Sequence, residues 1–167
     1  MPCLGVLFSL DKDTVLKLKS LSTDEERLEF VQEEIEPAYF DNFPQRMAEL
    51  VQSWDALHRS LTDGKLTYTN GTFPLNHVVM GGEIVYNADN YIMTLKTPDQ
   101  VKAIASEVIQ IDKDNLKKRY YNIDEADYEF PLTEEDFEFT WEWFELSKEF
   151  WKLASEENRF VLFTADQ

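Results

Sequence analysis

A chain of 167 residues, 43% hydrophobic and 14% aromatic, is long enough to bury one core without a disulfide or structural metal. With 33 Asp and Glu against 16 Lys and Arg the formal charge is -17, a sign that repels phosphate backbones and anionic lipid and so argues against direct nucleic-acid or membrane binding. The single cysteine, Cys3, excludes an intramolecular disulfide framework. The opening MPCLGVLFSLDKD has no basic n-region and its apolar run is broken by charge at Asp11, so it reads as neither a signal nor a span, and a soluble cytoplasmic protein is expected.

In chain order, Leu4 to Leu10 is a short apolar run, bounded by Pro2 and a charged DKD, and reads as a buried strand. Asp11 or Asp13 caps a short helix through Leu16 and Leu18. Ser22 and Glu25 have capping-box spacing, which predicts a helix from about Thr23 to Glu36 that Pro37 stops or kinks, with a loop to Phe43. From Pro44, the residues Met47, Leu50, Val51, Trp54, Leu57, His58 and Leu61 recur at intervals of three and four, predicting one amphipathic helix to Thr62. Asn70-Gly71 suggests a small hairpin between Lys65 and Phe73, and Gly81-Gly82 ends a short helix from Pro74. Glu83 to Tyr86 and Tyr91 to Lys96 read as strands. Thr97-Pro98-Asp99-Gln100 combines an N-cap, a first-turn proline and a Gln at capping-box spacing, and opens a helix to about Ile109. A helix from Asp114 to Tyr121 and an acidic loop follow.

The stretch from Thr133 to Glu157 is a helix with two apolar sides. At about 100° per residue, Phe137, Trp141, Phe144 and Trp151 fall on one side, and Phe139, Trp143, Leu146, Phe150 and Leu153 on the other. Glu138, Glu142, Glu145, Glu149 and Glu156 form one stripe between them. Thr140, Ser147 and Ala154 form the other, small enough for close approach of a neighbour. Such a helix is either a central strut covered on both sides or the carrier of an aromatic face for a partner; the strut is expected, because each aromatic left in water forgoes on the order of 2 kcal/mol of burial. Arg159 to Thr164 closes the chain as a strand. The whole reads as α+β: one helix-rich domain with a small mixed sheet that includes the N- and C-terminal strands.

The segments WDALHRSLTDG (Trp54 to Gly64), FPLNHVVMGG (Phe73 to Gly82) and TPDQVKAIASEV (Thr97 to Val108), behind an N-terminal strand and LDKD, resemble the YfbM-like family of bacterial proteins of unknown function. The resemblance runs the full length, residues 1–167, and implies one α+β domain without an established activity. One departure stands out. The family pattern places an arginine just before the TPEEV-like helix start, about where this chain has Thr94, so an anionic ligand served by that arginine is not expected here.

Chemistry-bearing residues are few. Asp55 and His58 are three apart on one helix, and His77 can approach from the 73–82 segment. Two histidines and one acid without HExxH or CxxC spacing fall short of a metal constellation, and no metal or cofactor is expected. His58 also lies on the apolar stripe beside Trp54, as a hydrogen-bonded core histidine would. There is no GxSxG, Ser60 and Thr62 are poorly placed as nucleophiles, and the glycines of Met80-Gly81-Gly82 suit a tight turn better than a phosphate loop. Two functions follow from different features. The acidic run from Arg119 to Lys148, which holds no basic residue between those two, and its aromatics suit an interaction protein without catalysis, immunity-like toward a basic partner, with a homodimer as another use of the same face. The alternative is a small-molecule-binding or hydrolytic enzyme with a pocket near Trp54, Asp55, His58, His77, Gly81 and Gly82.

Overall fold

The computed structural model describes residues 3–167, so the Pro2 boundary lies outside the described residues. Five strands, β1 (Gly5–Leu10), β2 (Met47–Val51), β3 (Glu83–Ile84), β4 (Tyr91–Lys96) and β5 (Phe160–Asp166), form one sheet in the order β2-β1-β5-β4-β3. Every neighbouring pair is antiparallel, so the sheet is not mixed; the N- and C-terminal strands do belong to it, paired at its centre from Gly5 opposite Ala165 to Leu10 opposite Phe160. Helices cover both faces, which explains why β1 and β4 are buried at every position.

One face of the sheet, through Val6, Phe8, Leu10, Met93, Leu95 and Leu162, packs against α1 (Lys12–Ser20), α2 (Asp24–Phe30) and α3 (Glu36–Asn42). The other, through Leu7, Leu50, Ile92, Val161 and Phe163, packs against α4 (Trp54–Leu61), α5 (Pro98–Val108), α6 (Lys113–Tyr120), α7 (Glu125–Tyr128) and α8 (Glu134–Glu156). The capping signals are realised locally. Asp11 accepts from the Thr14 amide, and Thr97 and Gln100 complete their reciprocal box. The cap before α2 is Thr23, one residue later than the sequence spacing suggests: its hydroxyl accepts from the Glu26 amide, while the Glu26 carboxylate accepts from the Ser22 amide, so no reciprocal box closes.

Three stretches differ from expectation. Pro37 does not end its helix: the turn Val31–Ile35 widens so that the Glu36 amide reaches back to the Val31 carbonyl, and Pro37, with no N–H to give, falls in the first turn of α3. The apolar run from Pro44 is not one helix. Met47–Val51 is edge strand β2, Val51 takes a left-handed φ of 47°, and α4 starts only at Trp54. Residues 65–73 form no hairpin, because the Asn70 side-chain amide bonds the Thr62 hydroxyl, the Asp63 carboxylate and the Lys65 carbonyl and folds the loop on itself. The acidic loop also contains α7.

The helix α8 is not a strut covered on both sides. Phe137, Phe144, Trp151 and the small residues Thr140, Ser147 and Ala154 are buried, as is Phe150, but Phe139 and Trp143 are only half-buried and Leu146 is 69% exposed. The helix runs alongside β2 in the opposite direction: Phe139 shares a hollow with Gln52, Leu146 and Leu153 share one with Met47, and Glu157 pairs with Arg46 at 2.8 Å. Having only one partner layer at the sheet edge, it leaves its second apolar side partly in water.

Candidate functional site

At the start of α4, between the turn after α7 and the first half of α8, lies a cleft of about 840 Å³. Its apolar wall is Trp54, Leu66, Tyr128, Phe130 and Phe139, and the carboxylates of Asp55 and Asp136 open into it. Each wall residue is held from behind. The Trp54 indole N–H donates to the Cys3 carbonyl at 2.9 Å, and its ring packs on Phe163 with centroids 5.7 Å apart. Gly5 is needed beneath it, since a Cβ there would lie 2.7 Å from Trp54 Cδ1.

The acids are oriented by named donors. Asp55 accepts from Arg59 Nε at 2.6 Å; Arg59, nearly buried, also pairs with Asp127 and lies 5.3 Å over the Tyr128 ring, which fastens α7 to α4 and sets Tyr128 as a wall. The Arg59 hydrogen bond in turn lowers the Asp127 carboxyl below its ordinary range. Asp136 Oδ2 accepts from both phenols, Tyr120 at 2.7 Å and Tyr128 at 2.8 Å. Burial first, and the Asp136 hydrogen bond second, push both phenols above their ordinary range, so they remain donors throughout neutral pH. Thr133 completes the corner: its hydroxyl accepts from the Asp136 amide at the start of α8, and its own amide donates to Tyr120 Oη.

The structure divides the residues that the sequence grouped. Trp54 and Asp55 line the cleft, whereas His58 is fully buried behind them. His58 does not touch Asp55: its Nε2 donates to Asn70 Oδ1 at 2.9 Å, and its Nδ1 accepts from the Met80 amide at 3.5 Å. Burial lowers its pKa, and with both ring nitrogens engaged it is a neutral core histidine. His77 lies outside the cleft, half-buried, edge-on to Phe73 at 5.0 Å and 2.7 Å from Asn76 Oδ1. Gly81 and Gly82 form a tight turn against backbone: a Cβ on Gly81 would sit 2.2 Å from the Asn76 carbonyl oxygen, and Gly82 has φ +128° against Leu95. Among the described residues no group of three His, Cys, Asp or Glu is placed to hold a metal.

Sequence reasoning missed Tyr128, Phe130, Asp136 and the buried Lys96 as features of interest. For Asp136 a signal existed in the Thr133 N-cap three residues before it; for Lys96, a lone charge inside the apolar strand YIMTLK.

The architecture is an antiparallel sheet with helices on both faces. Residues 1–164 match the family model described as a domain of unknown function, DUF1877, and the chain belongs to that family. Among solved structures it is similar to YfbM from Escherichia coli, a protein of unknown function, with a TM-score of 0.67 and 16% identity over 97% of this chain and 99% of that one. At that identity the likeness speaks for the fold alone. No curated protein matches. Among the described residues no helix is long and apolar enough to cross a membrane.

Proposed function

We propose that this protein is an acidic cytoplasmic binding module without catalysis of its own, which takes an apolar side chain of a basic partner protein into the Trp54–Tyr128–Phe139 cleft, as an immunity protein does in neutralising a toxin. The observation that carries this reading is the juxtaposition of an aromatic wall with the Asp55 and Asp136 carboxylates in one cleft. Aromatic pockets supply the few contacts that dominate affinity, while a charge of -17 speeds encounter with a cationic surface. The Arg59 and tyrosine donors hold the two carboxylates in place before any partner arrives.

The test is a titration of the protein with a synthetic peptide rich in lysine and phenylalanine, followed by tryptophan fluorescence. Binding is expected to weaken about tenfold between about 50 and 300 mM NaCl, and to be lost in Phe139→Asp. Salt-independent binding, or full binding by the variant, would sink the reading. A second reading, a small-molecule site in the same cleft, is favoured by its volume, which lies within the usual range for ligand pockets. It requires thermal stabilisation by a small aromatic amine that the peptide competes away.

A further inference from the structure

The strand β2 lies at the edge of the sheet, paired to β1 on one side only. Among the described residues, the backbone groups of Met47, Ala48, Glu49 and Val51 make no hydrogen bond outside that ladder. Natural edges are usually blunted by charge, bulges or a covering element. Here Glu49 and an irregularity opposite Gly5 and Val6 serve that end in part, but neither accounts for the apolar side of α8 lying open beside the same edge.

The two sides of this edge differ in chemistry. On one, Ala48 and Leu50 pack into the α8 layer, where half-buried Trp143, edge-on to Phe139, and exposed Leu146 continue the apolar side of α8 from the cleft to the hollow at Met47. On the other, Glu49 lies exposed in a hollow shared with Gln32, Glu36 and Asp166. A strand laid along β2 would point successive side chains to opposite sides. The matching sequence alternates apolar residues, toward Trp143 and Leu146, with basic residues, toward Glu49 and Glu36.

We propose that the edge of β2 is completed by an extended basic segment of a partner protein, added as a further antiparallel or parallel strand with its apolar side chains on the apolar side of α8. This rests on the reading above that the partner is basic. It adds a mode of recognition in which main-chain hydrogen bonds supply affinity and alternate side chains supply specificity. A second copy of this chain is the poorer occupant, since it would set Glu49 and the α8 glutamates against their own kind at a net charge of -17 per chain.

The experiment uses the full chain and a short synthetic peptide that alternates lysine with valine or phenylalanine. Two backbone-methylated versions accompany it, one methylated on the lysine nitrogens and the other on the valine and phenylalanine nitrogens. Because alternate residues of a strand present their N–H groups to the same edge, one methylated peptide is expected to bind at least about tenfold more weakly and the other to bind as the parent does. Amide exchange within Met47–Val51 is expected to slow at least about tenfold on binding, at the positions not paired to β1. Equal affinity of all three peptides, with no slowing in β2, would overturn strand addition while leaving the cleft reading intact. Undiminished binding by Phe139→Asp would do the reverse. Failure of every peptide to bind overturns the proposal, as does a protein that sediments as a dimer with its β2 amides already protected.

Discussion

At the scale of single residues the most consequential group is Lys96, fully buried on the strand face that also carries Thr94. Its Nζ donates to the Val79 carbonyl at 2.6 Å and to Thr94 Oγ1 at 2.8 Å, and it lies 5.5 Å from the Phe163 ring centre. Thr94 holds the position where the family resemblance places an arginine, and here it serves as an acceptor for this buried amine. Desolvation holds the Lys96 amine well below its ordinary pKa. Between that lowered value and the ordinary lysine range the unfolded chain binds a proton that the folded chain does not, so stability rises with pH across that window, by up to about 1.4 kcal/mol per unit. His58, also lowered by burial, adds a loss of the same sign as pH falls below about 6.5. The urea midpoint is therefore expected to climb between about pH 7 and 9.5, and the climb should shrink in Lys96→Met, which is also expected to be more stable than the parent at pH 7. A flat profile in the parent would mean that the amine is charged where it lies. Trp54 offers a second test. Trp54→Ala is expected to cost about 3 to 5 kcal/mol in urea unfolding. Gly5→Ala, whose new methyl would meet the Trp54 ring, is expected to destabilise the parent and to cost clearly less in the Trp54→Ala background.

At the scale of elements, the exposure of α8 has a direct consequence for substitutions along it. Leu146→Ser should change stability by no more than about 0.5 kcal/mol, whereas Phe144→Ala, two positions earlier and fully buried, should cost about 3 to 5 kcal/mol. Comparable losses at both positions would mean that something covers Leu146 in solution. The helix also shows where sequence reading reaches its limit. Its extent and its small-residue stripe were legible because each is a local property, and both hold. Its position at the sheet edge was not, since burial of the second side depends on what lies opposite. The strand β2 was lost for a related reason. Met47, Leu50, Val51 and Trp54 fit a helical period, yet Ala48 and Leu50 flanking Glu49 fit an alternating one, and over five residues periodicity cannot choose. Pairing with β1 chose. The candidate site was half legible: Trp54 was in view as part of a regular stripe and Asp55 as a neighbour of His58 on the same helix, but Asp136 and Phe139 join them only through the packing of α8 against α4 and α7.

At the scale of the whole molecule, a charge of -17 spread over one domain stores self-repulsion that counterions relieve. Raising NaCl to about 0.5 M is expected to lift the melting temperature by roughly 3 to 5 °C; a fall would show that its ion pairs, such as Arg59 with Asp55 and Asp127, outweigh the repulsion. The order of the strands carries a further consequence, for how the chain comes to be folded. The middle strand, β5, is the last of the five to be synthesised, and its partners β1 and β4 were made long before it. Until β5 emerges, β1 and β4 each wait with an unpaired inner edge, and the sheet exists only as two separate antiparallel pairs, β1 with β2 and β3 with β4. Closing the centre joins residues at opposite ends of the chain, Gly5 to Ala165, a contact whose loop entropy no local structure can defray. Folding should thus be late and concerted, and a nascent chain stalled before Phe160 should remain open to proteolysis and to chaperones that recognise bare strand edges.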